Sequence, residues 1–95
     1  MLLREHLMIC EAIVEYLGHG ERPSWEIEEA LAEQFKLTKA ERALMHEASR
    51  CPVWRNDVAW GLSELVQTKT IEAVARRRAP NGGTRGIYRL WKTPA

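Results

Sequence analysis

The densest reactive chemistry in the chain is basic. Arg76-Arg77-Arg78 are consecutive, and Arg85 follows after the turn-forming Pro80-Asn81-Gly82-Gly83. A basic cluster of this kind is the electrostatic footprint of a polyanion-binding surface. Lys69, Arg76, Arg77, Arg78 and Arg85 are expected to neutralise phosphates. Arg55 and Asn56 are types that read base edges, since arginine pairs bidentately with guanine and asparagine with adenine. Ser63 and Gln67 lie further along the same predicted helix.

The charge distribution sharpens this. Over residues 1–67, seven Lys/Arg stand against twelve Asp/Glu, a balance of −5. Over residues 68–95, seven stand against Glu72 alone, a balance of +6. The net +1 therefore conceals an acidic body and a basic end that would face a polyanion. Glu26, Glu28, Glu29 and Glu33 are expected to be solvated and to point away from any duplex.

No catalytic constellation is visible. His6 and Cys10 are four apart, and His46 and Cys51 are close in sequence, but zinc needs three or four converging ligands. The cysteines are accordingly expected to be small core residues, and no metal or cofactor is expected. A Cys–His nucleophile pair lacks a third group and an oxyanion site. Gly82-Gly83 is not flanked by the strand and helix of a phosphate loop. Asp57 is the only aspartate, and no Asp/Glu…Glu-x-Lys set falls on predicted strands to hold magnesium. The chain is expected not to be an enzyme, but an excised domain or a stand-alone binding module.

The elements that must position these residues follow from pattern. Ninety-five residues, 45% hydrophobic and 28% charged, suit one compact domain. No apolar run approaches the length of a membrane span. Acids at Glu5, Glu11 and Glu15 argue against a secretory signal, so a cytoplasmic protein without a membrane partner is expected. A first helix is predicted over Leu2–Leu17, with Leu3, Leu7, Cys10, Val14 and Leu17 on its buried stripe. Leu2, Ile9, Ile13 and Tyr16 widen that stripe, and Gly18-His19-Gly20 ends it. Ser24 is expected to cap a helix over 24–36. Thr38-Lys39-Ala40-Glu41 fits a capping box opening a helix to about Ser49. After Cys51-Pro52, a fourth helix is predicted over Val53–Gln67, burying Trp54, Val58, Leu62, Leu65 and Val66. Trp60 falls on its polar side and is expected to be covered by the first helix or the terminal segment. Residues 70–91 read as a β-hairpin with a basic tip, against a competing extension of the fourth helix to Arg78. Residues 92–95 read as a linker or frayed end.

Helices followed by a basic hairpin describe a winged helix, a mainly α member of the α/β class. The run Ile27-Glu28-Glu29-Ala30-Leu31-Ala32, then Leu37-Thr38, Asn56-Asp57-Val58-Ala59-Trp60-Gly61 and Gly86-Ile87-Tyr88-Arg89-Leu90, resembles the N-terminal domain of Mrr-type restriction endonucleases. The resemblance covers most of the chain. It implies a winged helix that precedes a separate nuclease domain and engages the DNA substrate. The family's Asn-Arg-Val-x-Trp-Ala is matched at Asn56, Val58 and Trp60. Asp57 replaces the arginine, which calls one phosphate contact into question, and Gly61 replaces the alanine. The expected function is double-stranded DNA binding for a restriction-like system, with a homodimer or a nuclease domain or subunit as further partner. The alternative is a winged helix that binds protein, for dimerisation or as an adaptor.

Overall fold

Helices and strands form where apolar spacing and chain breaks predict them, with instructive exceptions. The computed structural model describes residues 3–48, 50–80 and 82–91. The order is α1 (His6–Leu17), β1 (Arg22–Pro23), α2 (Ser24–Gln34), α3 (Lys39–Ala43), α4 (Val53–Gln67), β2 (Ile71–Arg78) and β3 (Thr84–Leu90). The three strands form one antiparallel sheet in the order β1-β3-β2. Four helices with this sheet make the expected mainly helical, winged-helix-like α/β fold. No helix among the described residues is long and apolar enough to cross a membrane. The expected linker at 92–95 lies outside the described residues, as do Leu2, Ser49 and Asn81.

The core is built by α1, α2, α4 and the start of β2. Ile9, Ile13, Ile27, Leu31, Val58 and Ile71 are fully buried together. α1 buries only part of the expected stripe: Cys10, Leu17 and the widening Ile9 and Ile13 are inside. Leu7 is 60% exposed, Val14 is half-buried, and Ile9, Cys10, Ala12, Ile13 and Leu17 face inward. The partner helix explains the choice. A Cβ on Gly61 of α4 would sit 3.0 Å from Ile13 Cδ1 and 3.2 Å from Ile9 Cγ2. The missing side chain thus forms a notch filled by Ile9 and Ile13, with Cys10 Sγ alongside at 3.6 Å.

α1 starts at His6 rather than Leu2 because Leu3 and Arg4 are engaged elsewhere. The Leu3 N–H donates to Asp57 Oδ2 at 2.9 Å. Arg4 donates to both Glu41 carboxylate oxygens, at 2.7 and 3.2 Å. At the other end of α1, Gly18 stays right-handed and Gly20, at φ +124°, makes the reversal.

Ser24 is not the cap of α2. Pro23 occupies that position because it pairs with Ile87 in the sheet, and Ser24 Oγ is left buried without a hydrogen-bond partner. The capping box of α3 is present: Thr38 Oγ1 accepts from Glu41 N at 3.1 Å, and Glu41 Oε1 accepts from Thr38 N at 3.0 Å. The helix is nevertheless short. Leu44 turns extended and accepts from Val53 N at 2.9 Å, and Met45 bridges Pro52. These contacts pull the chain out of the helix predicted to Ser49.

α4 runs from Val53 to Gln67 as predicted. Its end has no glycine. Lys69 takes the left-handed conformation at φ 60°, while Lys69 N donates to Val66 O and Thr70 N to Leu65 O. These two bonds make a Schellman turn, which delivers the chain into β2. That turn excludes the helical extension to Arg78. Trp60 is 60% exposed, so neither α1 nor the described part of the C-terminal segment covers it, contrary to expectation.

Glu41 supplies a pH-dependent tie. The Arg4 guanidinium, followed by the Thr38 N–H, holds its carboxyl down from 4.5 to about 2. A carboxylate with a depressed folded-state pKa stabilises above its unfolded pKa. This contribution is therefore present above 4.5 and lost as pH falls towards about 2. Carboxyl titration by NMR should give Glu41 a midpoint near 2, and Arg4→Gln should move it most of the way back to 4.5. A normal midpoint in the wild-type chain would mean the pair does not form.

Candidate nucleic-acid interface

The site is assembled by holding α4 against α2 and by re-aiming the hairpin. Trp54 anchors the first. Its Nε1–H donates to the Glu28 carbonyl at 2.9 Å, and its ring meets Phe35 edge-on at 6.0 Å. Arg55, the next residue, is thereby set beside the Glu28 side chain. Its Nε lies 3.6 Å from Glu28 Oε1, an ion pair too long for a hydrogen bond. That Nε–H is buried without a hydrogen-bond partner.

A bulge performs the second task. Ala73 pairs with Tyr88 and Ala75 with Ile87, so Val74 is an extra residue on β2. An inserted residue shifts the two-residue alternation. This accounts for the imperfect alternation of Thr70–Arg76 in the sequence. Beyond the bulge, Arg76 pairs with Gly86, Arg77 with Arg85 and Arg78 with Thr84. By strand alternation Arg76 and Arg78 share a face and Arg77 takes the other. Arg77 and Arg85 stand directly opposite each other, and the Glu28 carboxylate, 3.4 Å from Arg85 Nη1, offsets their like charge.

Between α4, the start of α2 and the hairpin lies an open cleft of about 490 Å³. Arg55, Ser63 and Gln67 line its helical wall, and Arg76 and Arg85 line its hairpin wall. Five of the nine sequence-predicted residues thus converge. Asn56 is half-buried outside the cleft walls, Lys69 sits in the Schellman turn, and Arg77 and Arg78 are exposed at the hairpin end. Arg76 Nη2 donates to the Thr84 carbonyl at 3.2 Å, which steadies its guanidinium. Gly86 lets the Tyr88 ring lie against the strand: a Cβ here would sit 2.9 Å from the Tyr88 hydroxyl and would push the ring aside within the cleft it lines.

Two features depart from expectation. Glu28 is not solvated. Only 16% of its side chain is exposed, and its Oε2 meets Arg85 Nη1 at 3.4 Å. Burial pushes its carboxyl pKa up, against the opposing pull of Arg85 and then Arg55. One carboxylate therefore holds two guanidinium groups at the cleft wall. The others of that set, Glu26, Glu29 and Glu33, are exposed, with Glu29 paired to Arg42 at 2.9 Å. The second departure is Asp57, which is 1% exposed and turned to the interior. Burial raises its pKa, and the Leu3 N–H bond lowers it. Position 57 thus ties down the N-terminal segment instead of offering a surface contact.

Sequence reasoning missed Ser24, Glu28 and Thr84 as cleft residues. Ser24 and Glu28 arrive from α2, across a gap of sequence that carries no spacing signal. The family model of the Mrr N-terminal domain matches residues 8–79, which include α1 from its third residue, all of α2 to α4, and β2. The chain belongs to this family. As an Mrr N-terminal domain it is related to a restriction system. Neither a curated protein nor a solved structure matches it. In this Mrr N-terminal domain, Asn56, Val58 and Trp60 of α4 divide among three environments: half-buried, core and solvent.

Proposed function

We propose that this Mrr N-terminal domain is a DNA-binding winged helix that targets a restriction-like system to its substrate and does no catalysis itself. One observation carries the reading. Arg55, Ser63 and Gln67 of α4 share a single cleft with Arg76 and Arg85 of the hairpin. In the winged-helix mode α4 enters the major groove and the hairpin follows the adjacent backbone. Arg55 then approaches base edges, while Arg76 and Arg78 meet phosphates. Ser24 Oγ and Arg55 Nε, both without hydrogen-bond partners, lose no bond when the cleft takes up a ligand. A cytoplasmic location fits such a substrate.

The test is an electrophoretic titration against random-sequence duplex at two salt concentrations. Each phosphate contact contributes a log–log salt slope of about −0.9. Binding that weakens steeply with salt supports the proposal, and absence of binding at low salt contradicts it. Glu28→Gln gives a second expected outcome. It removes the negative charge between Arg55 and Arg85, so non-specific affinity should rise several-fold, most at low salt. An unchanged or weakened affinity would mean that Glu28 holds the arginines in their binding geometry rather than neutralising them.

A protein-binding reading draws on a different surface. Leu7 and Trp60 are each 60% exposed and Met8 is 48% exposed. Exposed aromatic anchors are typical of association hot spots. A homodimer or a docked nuclease domain would cover these side chains on α1 and α4, and Trp60→Ala would then weaken association while leaving the fold stable.

A further inference from the structure

His6 and Cys10 occupy successive turns of α1, and Glu64 reaches them from α4. The three side chains offer a nitrogen, a sulfur and an oxygen within 4.8 Å of one another. His6 Nε2 to Glu64 Oε2 is 3.1 Å, and Cys10 Sγ is 3.6 Å from each. These spacings have a chemical meaning. Tetrahedral zinc has bonds of about 2.3 Å to sulfur and about 2.0–2.2 Å to nitrogen or oxygen, which place its ligand atoms about 3.3–3.6 Å apart. The two sulfur edges, 3.6 Å each, match that geometry, and the 3.1 Å nitrogen–oxygen edge need only open slightly by side-chain rotation.

We propose that His6, Cys10 and Glu64 form a binding site for a zinc-like divalent cation. A thiolate, an imidazole and a carboxylate form a donor set suited to borderline-soft ions rather than to magnesium or calcium. Three protein ligands leave the fourth tetrahedral position for water. Cys10 is buried, whereas the His6 and Glu64 side chains are 33% and 54% exposed, so the ion enters from the solvent side. Without the ion, burial first, then the Glu64 charge and its hydrogen bond, push the Cys10 thiol up to about 11. Binding breaks the S–H bond, releases that proton to solvent and forms three protein–metal bonds, with no change of oxidation state. The bound ion ties the first turn of α1, which has no side-chain cap, to the last turns of α4. It lies apart from the cleft, whose lining includes none of the three residues.

The test uses cobalt(II) alone, added to the reduced chain, followed by zinc competition. Tetrahedral cobalt with one thiolate gives strong visible bands and a near-ultraviolet sulfur-to-metal charge-transfer band. One equivalent per chain is expected, displaced by zinc. Glu64→Ala and His6→Ala alter exposed or half-exposed positions and preserve the fold. Each should weaken binding by more than the ~10–100-fold that losing an outer-shell partner costs. Cys10→Ser should abolish the charge-transfer band. His46→Ala, the control at the other His/Cys pair, should change nothing. Zinc should raise the thermal midpoint of the wild-type chain and not that of Glu64→Ala. No charge-transfer band at equimolar cobalt, or a full band in Glu64→Ala or Cys10→Ser, would overturn the proposal. If Cys10→Ser fails to fold, the His6→Ala and Glu64→Ala variants decide it.

Discussion

Leu62→Ala is expected to cost about 2–5 kcal/mol, out of the ~5–15 kcal/mol that holds a small domain folded. Leu62 is 4% exposed and belongs to the cluster that joins α4 to α1, α2 and β2. It also lines the cleft, so its truncation removes core contacts and wall together. Urea denaturation should show a lower midpoint at unchanged slope. Leu7→Ala and Trp60→Ala, at residues 60% exposed, are the contrast. Each should stay within about 0.5 kcal/mol of wild type, as surface substitutions usually do. A Leu62→Ala loss below that margin would contradict the core described above.

The second large effect is on DNA affinity. Arg76 and Arg78 share one face of β2, and of their two guanidinium groups that of Arg76 donates to the Thr84 carbonyl among the described residues. Arg85, by contrast, is already paired with Glu28. The Arg76→Ala/Arg78→Ala variant should flatten the log–log salt slope by about 1–2 units. It should weaken all sequences alike, because phosphate contacts carry no sequence information. Arg55→Ala should instead change which sequences are preferred, by ~1–3 kcal/mol for a lost base contact. Titration of a labelled duplex across salt concentrations measures both effects. An unchanged slope in the double variant would remove the hairpin from the interface.

Parts of this architecture were legible because local signals agreed. α4 lies between the Cys51-Pro52 break and the Schellman turn, with an inward arc that is apolar except for Asp57. The hairpin follows from its glycine turn and the alternation of β3. The missed features depend on distant partners. β1 has two residues and therefore no period, and only its pairing with Ile87 and Tyr88 defines it. α1 carries apolar residues on two sides, and Gly61 of another helix selects between them. α3 stops early because Met45 bridges Pro52. The candidate site divides the same way. Five predicted polar residues converge because α4 and the hairpin were both read correctly. Glu28 was misplaced because its burial is imposed by Trp54 and Arg85, which lie far along the chain. Glu64 was missed as the third member of the His6/Cys10 group for the same reason.

The central claim is that the cleft between α4 and the hairpin is the face that meets DNA. The most direct measurement is an amide chemical-shift map of the labelled protein during titration with a short duplex at low salt. The predicted shifts concentrate on Arg55, Ser63, Gln67, Arg76 and Arg85, and they collapse as salt is raised. Shifts confined to Leu7, Met8 and Trp60, or no shifts at saturating duplex, would contradict it.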